Sequence, residues 1–348
     1  MRENQLRAGL ALLSSEHGYI LGNRSARIAV DTPFARSALL AIARGERVQG
    51  GDDIEEFLAA IAAAGFLRSG DGDHDFALSH FLRRSALPHH RDMAAQVKSD
   101  RIDSELLQCD WIDFPAQRSG ASFLRSRAAA TIAISGRGRV ATLLALHLRT
   151  SGVGSILFYD RHERAYIEPC DIGFASITER EIGNHFYQHL DDQMNQLSFL
   201  DSGESATKPN LIIPNLIIHC GEMDIERTVD WMNSGQAHLV VEPHLGDEVA
   251  ISPIIKGGQT PCLRCMHLHE KDRFGFMRSQ RLALESESDL PVIGAHFVAA
   301  LVAAQALSYI DGIYHDYGQA IYLHLNDLVD LERENFARHP LCGCSYFQ

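Results

Sequence analysis

The sequence predicts an α/β protein of two modules, and three observations predict it. A strand-rich head is followed by two helical stretches. A glycine turn joins a strand to a helix in mid-chain. Two tight cysteine pairs, Cys262 with Cys265 and Cys342 with Cys344, mark the second half. At 348 residues the chain is long for one domain and suits two. The expected division is a head over 1–88, a connector over 89–118 and a body over 119–348.

In the head, Leu10, Leu12 and Leu13 form an apolar run, Tyr19-Ile20-Leu21 follows Gly18, and Arg27-Ile28-Ala29-Val30 alternates with period two. Glu16-His17-Gly18 and Gly22-Asn23 supply turns between these strands. Thr32 and Pro33 have the chemistry of an N-cap and a first helical position, which opens a helix that stops near Gly45. A second helix follows Asp53, with Ile54, Phe57, Leu58 and Ile61 on one face at helical spacing. Strands before helices give a winged-helix-like head of unusual order. Its charge is balanced, with eight Arg against eight acidic residues over 1–70. That balance, without a basic recognition helix, speaks against a DNA-binding winged helix.

The body opens with a buried strand at Ala129 to Ile134. Gly136-Arg137-Gly138-Arg139-Val140-Ala141 follows, then a helix, then a strand over Ser155 to Tyr159 that ends at Asp160. Glycines at these places allow a tight turn and close approach of a phosphate to a helix N-terminus, and the acid is placed to reach a ribose. This reads as a Rossmann-like unit. Further strands are expected over Leu211 to His219, Ala237 to Val241 and Ala250 to Ile255, with a helix around Asp224 to Ser234. A buried helix is expected from Gly294 to Ile310 and a strand through Ile321, Leu323 and Leu325.

Cys262, Cys265, Cys342 and Cys344 offer four thiolates, the closed tetrahedral shell of structural zinc. Such a shell leaves no position for water or substrate, so the metal is a staple across nearly 80 residues. His267 and His269 stand beside the first pair as alternative ligands. Cys109, Cys170 and Cys220 are expected as small buried hydrophobes. The net charge of -13 disfavours nonspecific nucleic-acid binding. The longest apolar run, Ala295 to Ile310, is short and broken by His296, Gln305 and Ser308, and no signal sequence opens the chain; a soluble cytoplasmic protein is expected. His89-His90 reads as a polar loop. The acidic run Glu285 to Asp289 reads as a solvated loop or a docking loop for a partner.

The head resembles the PqqD-like peptide-recognition domain through Tyr19-Ile20-Leu21, Arg27-Ile28-Ala29-Val30, Leu39 to Gly45 and Ala62 to Leu67, although Gly45 to Asp53 is shorter than that family's middle helix. The body, with its glycine turn, Gly257-Gly258-Gln259-Thr260-Pro261-Cys262-Leu263-Arg264-Cys265 and His339-Pro340-Leu341-Cys342-Gly343-Cys344, resembles the ThiF-like proteins related to ubiquitin-activating enzymes. It is most similar to their branch in thiazole/oxazole-modified peptide biosynthesis. The resemblance implies that a leader peptide adds a strand to the head's sheet. Ile28, Ala29 and Val30 are the candidate pairing residues, with Phe57 and Ile61 on the facing helix; those two serve equally well as core. It also implies a YcaO-type cyclodehydratase as partner, and homodimers are common among such proteins.

Adenylating members of that family carry a phosphate loop, a ribose acid, basic residues and a magnesium acid. Gly136, Gly138, Arg139, Asp160 and Asp224 are the candidates for a nucleotide site. His162 replaces the usual second acid. No Arg-Gln follows Cys170 to Ala175, and Gly183-Asn184-His185 stands where a lysine belongs. The preferred expectation is therefore a noncatalytic scaffold that binds the leader of a ribosomally made peptide and presents it to the cyclodehydratase. The alternative is an ATP- and magnesium-dependent adenylyltransferase acting on a peptide carboxylate.

Overall fold

The computed structural model describes residues 5–7, 9–16, 18–24, 27–30, 35–43, 48, 51–68, 91–112, 114, 118, 120–159, 166–198, 213–222, 224–280 and 289–346. The chain forms two compact units, Met1–Ser126 and Arg127–Gln348.

The first unit begins with β1 (Gln5–Leu6), β2 (Ala11–Ser15), β3 (Gly18–Gly22) and β4 (Arg27–Val30), followed by α1 (Ala35–Ala43), α2 (Asp52–Ala63) and β5 (Leu67–Arg68). The order of strands before helices is the one read from sequence. Strands β2, β3 and β4 form an antiparallel sheet in that order, so β4 is an edge. β1 pairs with β5. Three acids in the first turn of α2 (Asp52, Asp53, Glu55) complement the helix dipole. Leu21, Val30, Leu39, Ile42, Ile61 and Phe66 make the core of this unit. Thr32, Pro33 and most of Gly45 to Asp53 lie outside the described residues.

The stretch expected as an irregular connector carries a long helix, α3 (Arg91–Ile112). Its composition is polar, but Ile102, Leu106 and Cys109 fall at helical spacing and are buried. Beyond it, Phe114 stacks on Phe66 with centroids 5.7 Å apart. These residues belong to the first unit, which runs from Met1 to Ser126. His89 and His90 lie outside the described residues. Helix α4 (Gly120–Ala129) runs up to the second sheet.

The second unit contains β6 (Thr131–Gly136), α5 (Arg139–Thr150), β7 (Ser155–Phe158), α6 (Phe186–Leu197), β8 (Leu216–Cys220), α7 (Ile225–Asn233), β9 (His238–Val241), β10 (Glu248–Ile251), α8 (Leu263–Phe274), α9 (Val292–Ile310), β11 (Gln319–His324) and β12 (Asp327–Asn335). Its seven strands lie in the order β12-β11-β10-β9-β8-β6-β7. Strands β7, β6, β8 and β9 are parallel, and β10, β11 and β12 continue antiparallel. The expected strand–glycine turn–helix–strand unit is present. The next crossover passes to the other side of β6, so the chain splays at the carboxyl ends of β6 and β8. Such a switch point leaves a crevice for ligands.

Helix α9 is long and apolar enough to cross a membrane by length and composition. It packs instead along α5, with Ala295, Val298, Ala299 and Val302 buried. Asp311 closes this helix and takes the Arg127 guanidinium, with Nη2 2.7 Å from Oδ2 and both side chains buried. The outermost strand among the described residues, β12, pairs with β11 and presents Asp327, Asp330, Glu332 and Arg333 exposed.

Candidate functional site

A cleft of about 1080 Å³ opens at the switch point. Its floor is the turn after β6. Gly136 has φ +87°, and a Cβ there would stand 1.9 Å from the Cys220 carbonyl oxygen. Only glycine lets the ends of β6 and β8 approach so closely. Gly138, φ +96°, precedes the first turn of α5. The walls come from the ends of the next strands: Cys220, Gly221 and Glu222 after β8, and Glu242, Pro243 and His244 after β9.

Gly136, Gly138 and Arg139 all line the cleft. Arg139, however, is engaged: Nη1 donates to the Leu290 carbonyl at 2.8 Å, Nη2 to the Cys170 carbonyl at 3.2 Å, and the guanidinium lies 4.6 Å over Phe174. Arg137 is exposed at the cleft and has no hydrogen bond or ion pair with the described residues. Asp224 is not among the residues lining the cleft. Its carboxylate caps α7, accepting from the Glu226 backbone at 2.9 Å, and the cleft acid of that segment is Glu222. Asp160 and His162 lie outside the described residues.

Sequence reasoning missed a buried pair beneath the cleft. His219 Nε2 lies 2.8 Å from the Glu222 carbonyl, which can only accept, so Nε2 carries the proton. Nδ1 then accepts from the Ser135 hydroxyl at 3.1 Å. Arg227, on the first turns of α7, donates to the same hydroxyl at 3.4 Å and faces the cleft. Cys170 is exposed at the cleft and not buried as expected, while Cys109 and Cys220 are buried. Burial, helped by Asp289, pushes the Cys220 thiol up to about 12, so it is no nucleophile at neutral pH. Asp289, expected in a solvated run, stands at the cleft; Glu285 to Ser288 lie outside the described residues.

The four cysteines do come together. Cys262, Cys265, Cys342 and Cys344 are buried, with their sulfurs within 4.8 Å of one another. Neighbouring separations are 3.7 Å (Cys262 to Cys265), 3.5 Å (Cys262 to Cys342) and 3.3 Å (Cys265 to Cys344). A tetrahedral thiolate shell at the usual zinc–sulfur length has sulfurs about 3.8 Å apart. The donors therefore fit a metal ion. Among the described residues they are the sole such cluster. Burial first, then the adjacent sulfurs, pushes the Cys344 thiol up to about 12. A divalent ion reverses that preference and holds the thiolates.

His339 organises the second pair. Its Nδ1 accepts from the Leu341 backbone at 3.1 Å, so Nε2 carries the proton and donates to Asp272 at 2.9 Å. The histidines beside the first pair have other partners. His267 Nε2 meets Glu242 at 2.6 Å, and His269 donates to the Ala337 carbonyl at 3.0 Å. Glu242 thus touches the cleft on one side and α8, the helix of Cys265, on the other.

The residues proposed for peptide pairing are divided. Ala29 is exposed on the β4 edge and Ile28 is half-buried. The side chains of Val30 and Ile61 lie in the core, with Ile61 fully buried. Phe57 is half-buried and packs on the same core.

No family model matches the chain, and no curated protein matches it. Solved structures do. Escherichia coli MccB with ATP matches at a TM-score of 0.61 and 12% identity, covering 99% of this chain and 99% of that one. The chain has the MccB fold. The microcin C7 biosynthetic enzyme MccB in complex with N-formylated MccA matches at a TM-score of 0.63 and 12% identity, covering 98% of this chain and 99% of that one. PaaA matches at 0.63 and 15%, covering 94% and 99%. The likeness therefore takes in the head as well as the body.

Proposed function

We propose that this protein is an ATP-dependent, ThiF-like adenylyltransferase that activates a carboxylate of a ribosomally made peptide. The cleft at the switch point carries the proposal: it is large enough for a nucleotide and is floored by the glycine turn and the start of α5. The fold shared with MccB, which has been solved with ATP, supports an enzyme over the scaffold preferred from sequence. A bound peptide carboxylate would attack the α-phosphate, forming the acyl adenylate and expelling pyrophosphate. The chain's part is positioning and charge neutralisation. Arg137 and Arg227 are the cations placed at the cleft for this. Asp160 would serve the ribose. Magnesium takes one or two carboxylates plus phosphate oxygens, a role suited to Glu222, so no all-protein cage is needed.

The head would hold the peptide through the β4 edge, with Ile28 and Ala29 nearest the added strand. Zinc at the four cysteines would be structural. One observation favours the scaffold reading, with a YcaO-type partner: Arg139 is engaged in the protein's own contacts, and the family's Arg-Gln and lysine are absent. The full chain, incubated with MgATP and a candidate peptide, should release one pyrophosphate for each peptidyl adenylate formed. Peptide binding without pyrophosphate release would overturn the adenylation and leave the scaffold.

A further inference from the structure

Asp289 stands 150 residues from the glycine turn, yet it meets that turn directly. Its Oδ2 accepts from the Arg139 backbone N–H at 2.9 Å, at the first residue of α5. A Cβ on Gly138 would lie 2.9 Å from the same oxygen, so the carboxylate rests in space that a missing side chain leaves open. Oδ1 accepts from the Leu290 backbone at 3.1 Å, which fixes the rotamer. Arg139 in turn donates its Nη1 to the Leu290 carbonyl. The two segments therefore clasp each other by main chain and side chain at once. A carboxylate at a helix N-terminus, on a free N–H, is what a phosphate oxygen would be.

We infer that Asp289 is a built-in competitor for the phosphate position of the cleft: the chain's own carboxylate occupies the α5 N-terminus, and a phosphoryl ligand must displace it. This rests on the proposed nucleotide site and adds a regulation to it. Binding then carries the loss of two hydrogen bonds, those to Arg139 and Leu290. Nucleotide affinity is held down in the resting protein, and any partner or peptide that draws Asp289 away raises it. The same clasp accounts for the engaged Arg139: once Leu290 moves with Asp289, one guanidinium bond is released toward the cleft.

The test compares wild type, Asp289→Ala and Asp289→Asn by calorimetry, with MgATP and separately with inorganic pyrophosphate. Circular dichroism checks that each is folded. Asp289→Ala should bind at least one ligand roughly tenfold tighter, the scale of a lost charge-assisted hydrogen bond. Asp289→Asn, which keeps an acceptor but no charge, should fall between. By hydrogen exchange, the Arg139 amide should be protected in wild type, unprotected in Asp289→Ala, and protected again when that variant binds pyrophosphate. Equal or weaker binding by Asp289→Ala overturns the inference. If wild type binds MgATP and the variants bind it no better, the inference falls and the nucleotide site stands. If pyrophosphate alone tightens and MgATP binds none of the three, the competitor stands and adenylation falls. Binding of neither ligand by any of the three removes both.

Discussion

The cysteine cluster and the cleft belong to the same unit, and they are written in different ways. The cluster is made of four identical side chains that face inward and close on one point. The cleft is made of strand ends, two glycines and backbone N–H groups, with charged side chains around an open rim. A closed site of identical donors contributes to folding, because its parts have nothing else to do. An open rim of exposed charges contributes little to folding and is free to serve a ligand. The difference shows where each site can be damaged, and by how much.

The largest break is on the closed side. Cys342→Ser leaves three thiolates and opens a cross-link spanning about 80 residues, worth roughly 4 kcal/mol on the scale of loop-closing links. Metal analysis should fall from one ion per chain to none, and thermal unfolding should move down by about 10 °C. An unchanged melting temperature would mean that the cluster is not a staple.

A middle-sized effect comes from the strand layer that both sites share. His238 on β9 is buried beside Trp231, and its Nδ1 donates to the Gln236 carbonyl at 3.1 Å. Burial holds its pKa down to about 4, against an ordinary value of 6.5. The folded state therefore binds fewer protons than the unfolded chain between those values. Its contribution is complete above pH 6.5 and is lost as pH falls toward 4; at pH 5 the loss is about 2 kcal/mol. Chemical denaturation at pH 7.5 and pH 5 should show this slope in wild type and a shallower one in His238→Gln. Equal slopes would assign the acid sensitivity elsewhere.

The smallest effect sharpens the contrast from the open side. Glu222→Gln should change stability by less than about 0.5 kcal/mol, as for other exposed positions. Its effect should appear instead in the magnesium dependence of nucleotide binding. A large loss of stability would mean that the rim is structural after all.

The same division explains what was legible in the sequence. The cysteine cluster was readable because its chemistry resides in residue identity and short spacing. The strand, glycine turn and helix from Thr131 to Thr150 were readable because φ and period are local properties. Helix α3 was missed because its polar residues dilute the apolar spacing of Ile102, Leu106 and Cys109, which are buried. Asp224 was a candidate because it follows a strand end; that its side chain caps α7 depends on where the helix begins, which the sequence placed only approximately. For Ile61 the sequence left groove and core equally open, because an apolar face does not say what covers it; here the side chain lies in the head's core. Asp289 could not be found at all, since nothing local ties an acidic run to a backbone N–H 150 residues away.

The edge strand β12 has a consequence of another kind. A nine-residue edge is a long row of unpaired backbone groups, the usual template for one sheet growing onto another. Here Asp327, Asp330, Glu332, Arg333 and Glu334 punctuate it, with a surplus of negative charge. Two such edges brought side by side would set like charges against each other at strand spacing. Growth of the seven described strands onto a second copy through this edge is therefore disfavoured at neutral pH, and light scattering of concentrated protein should rise only when acid neutralises the edge.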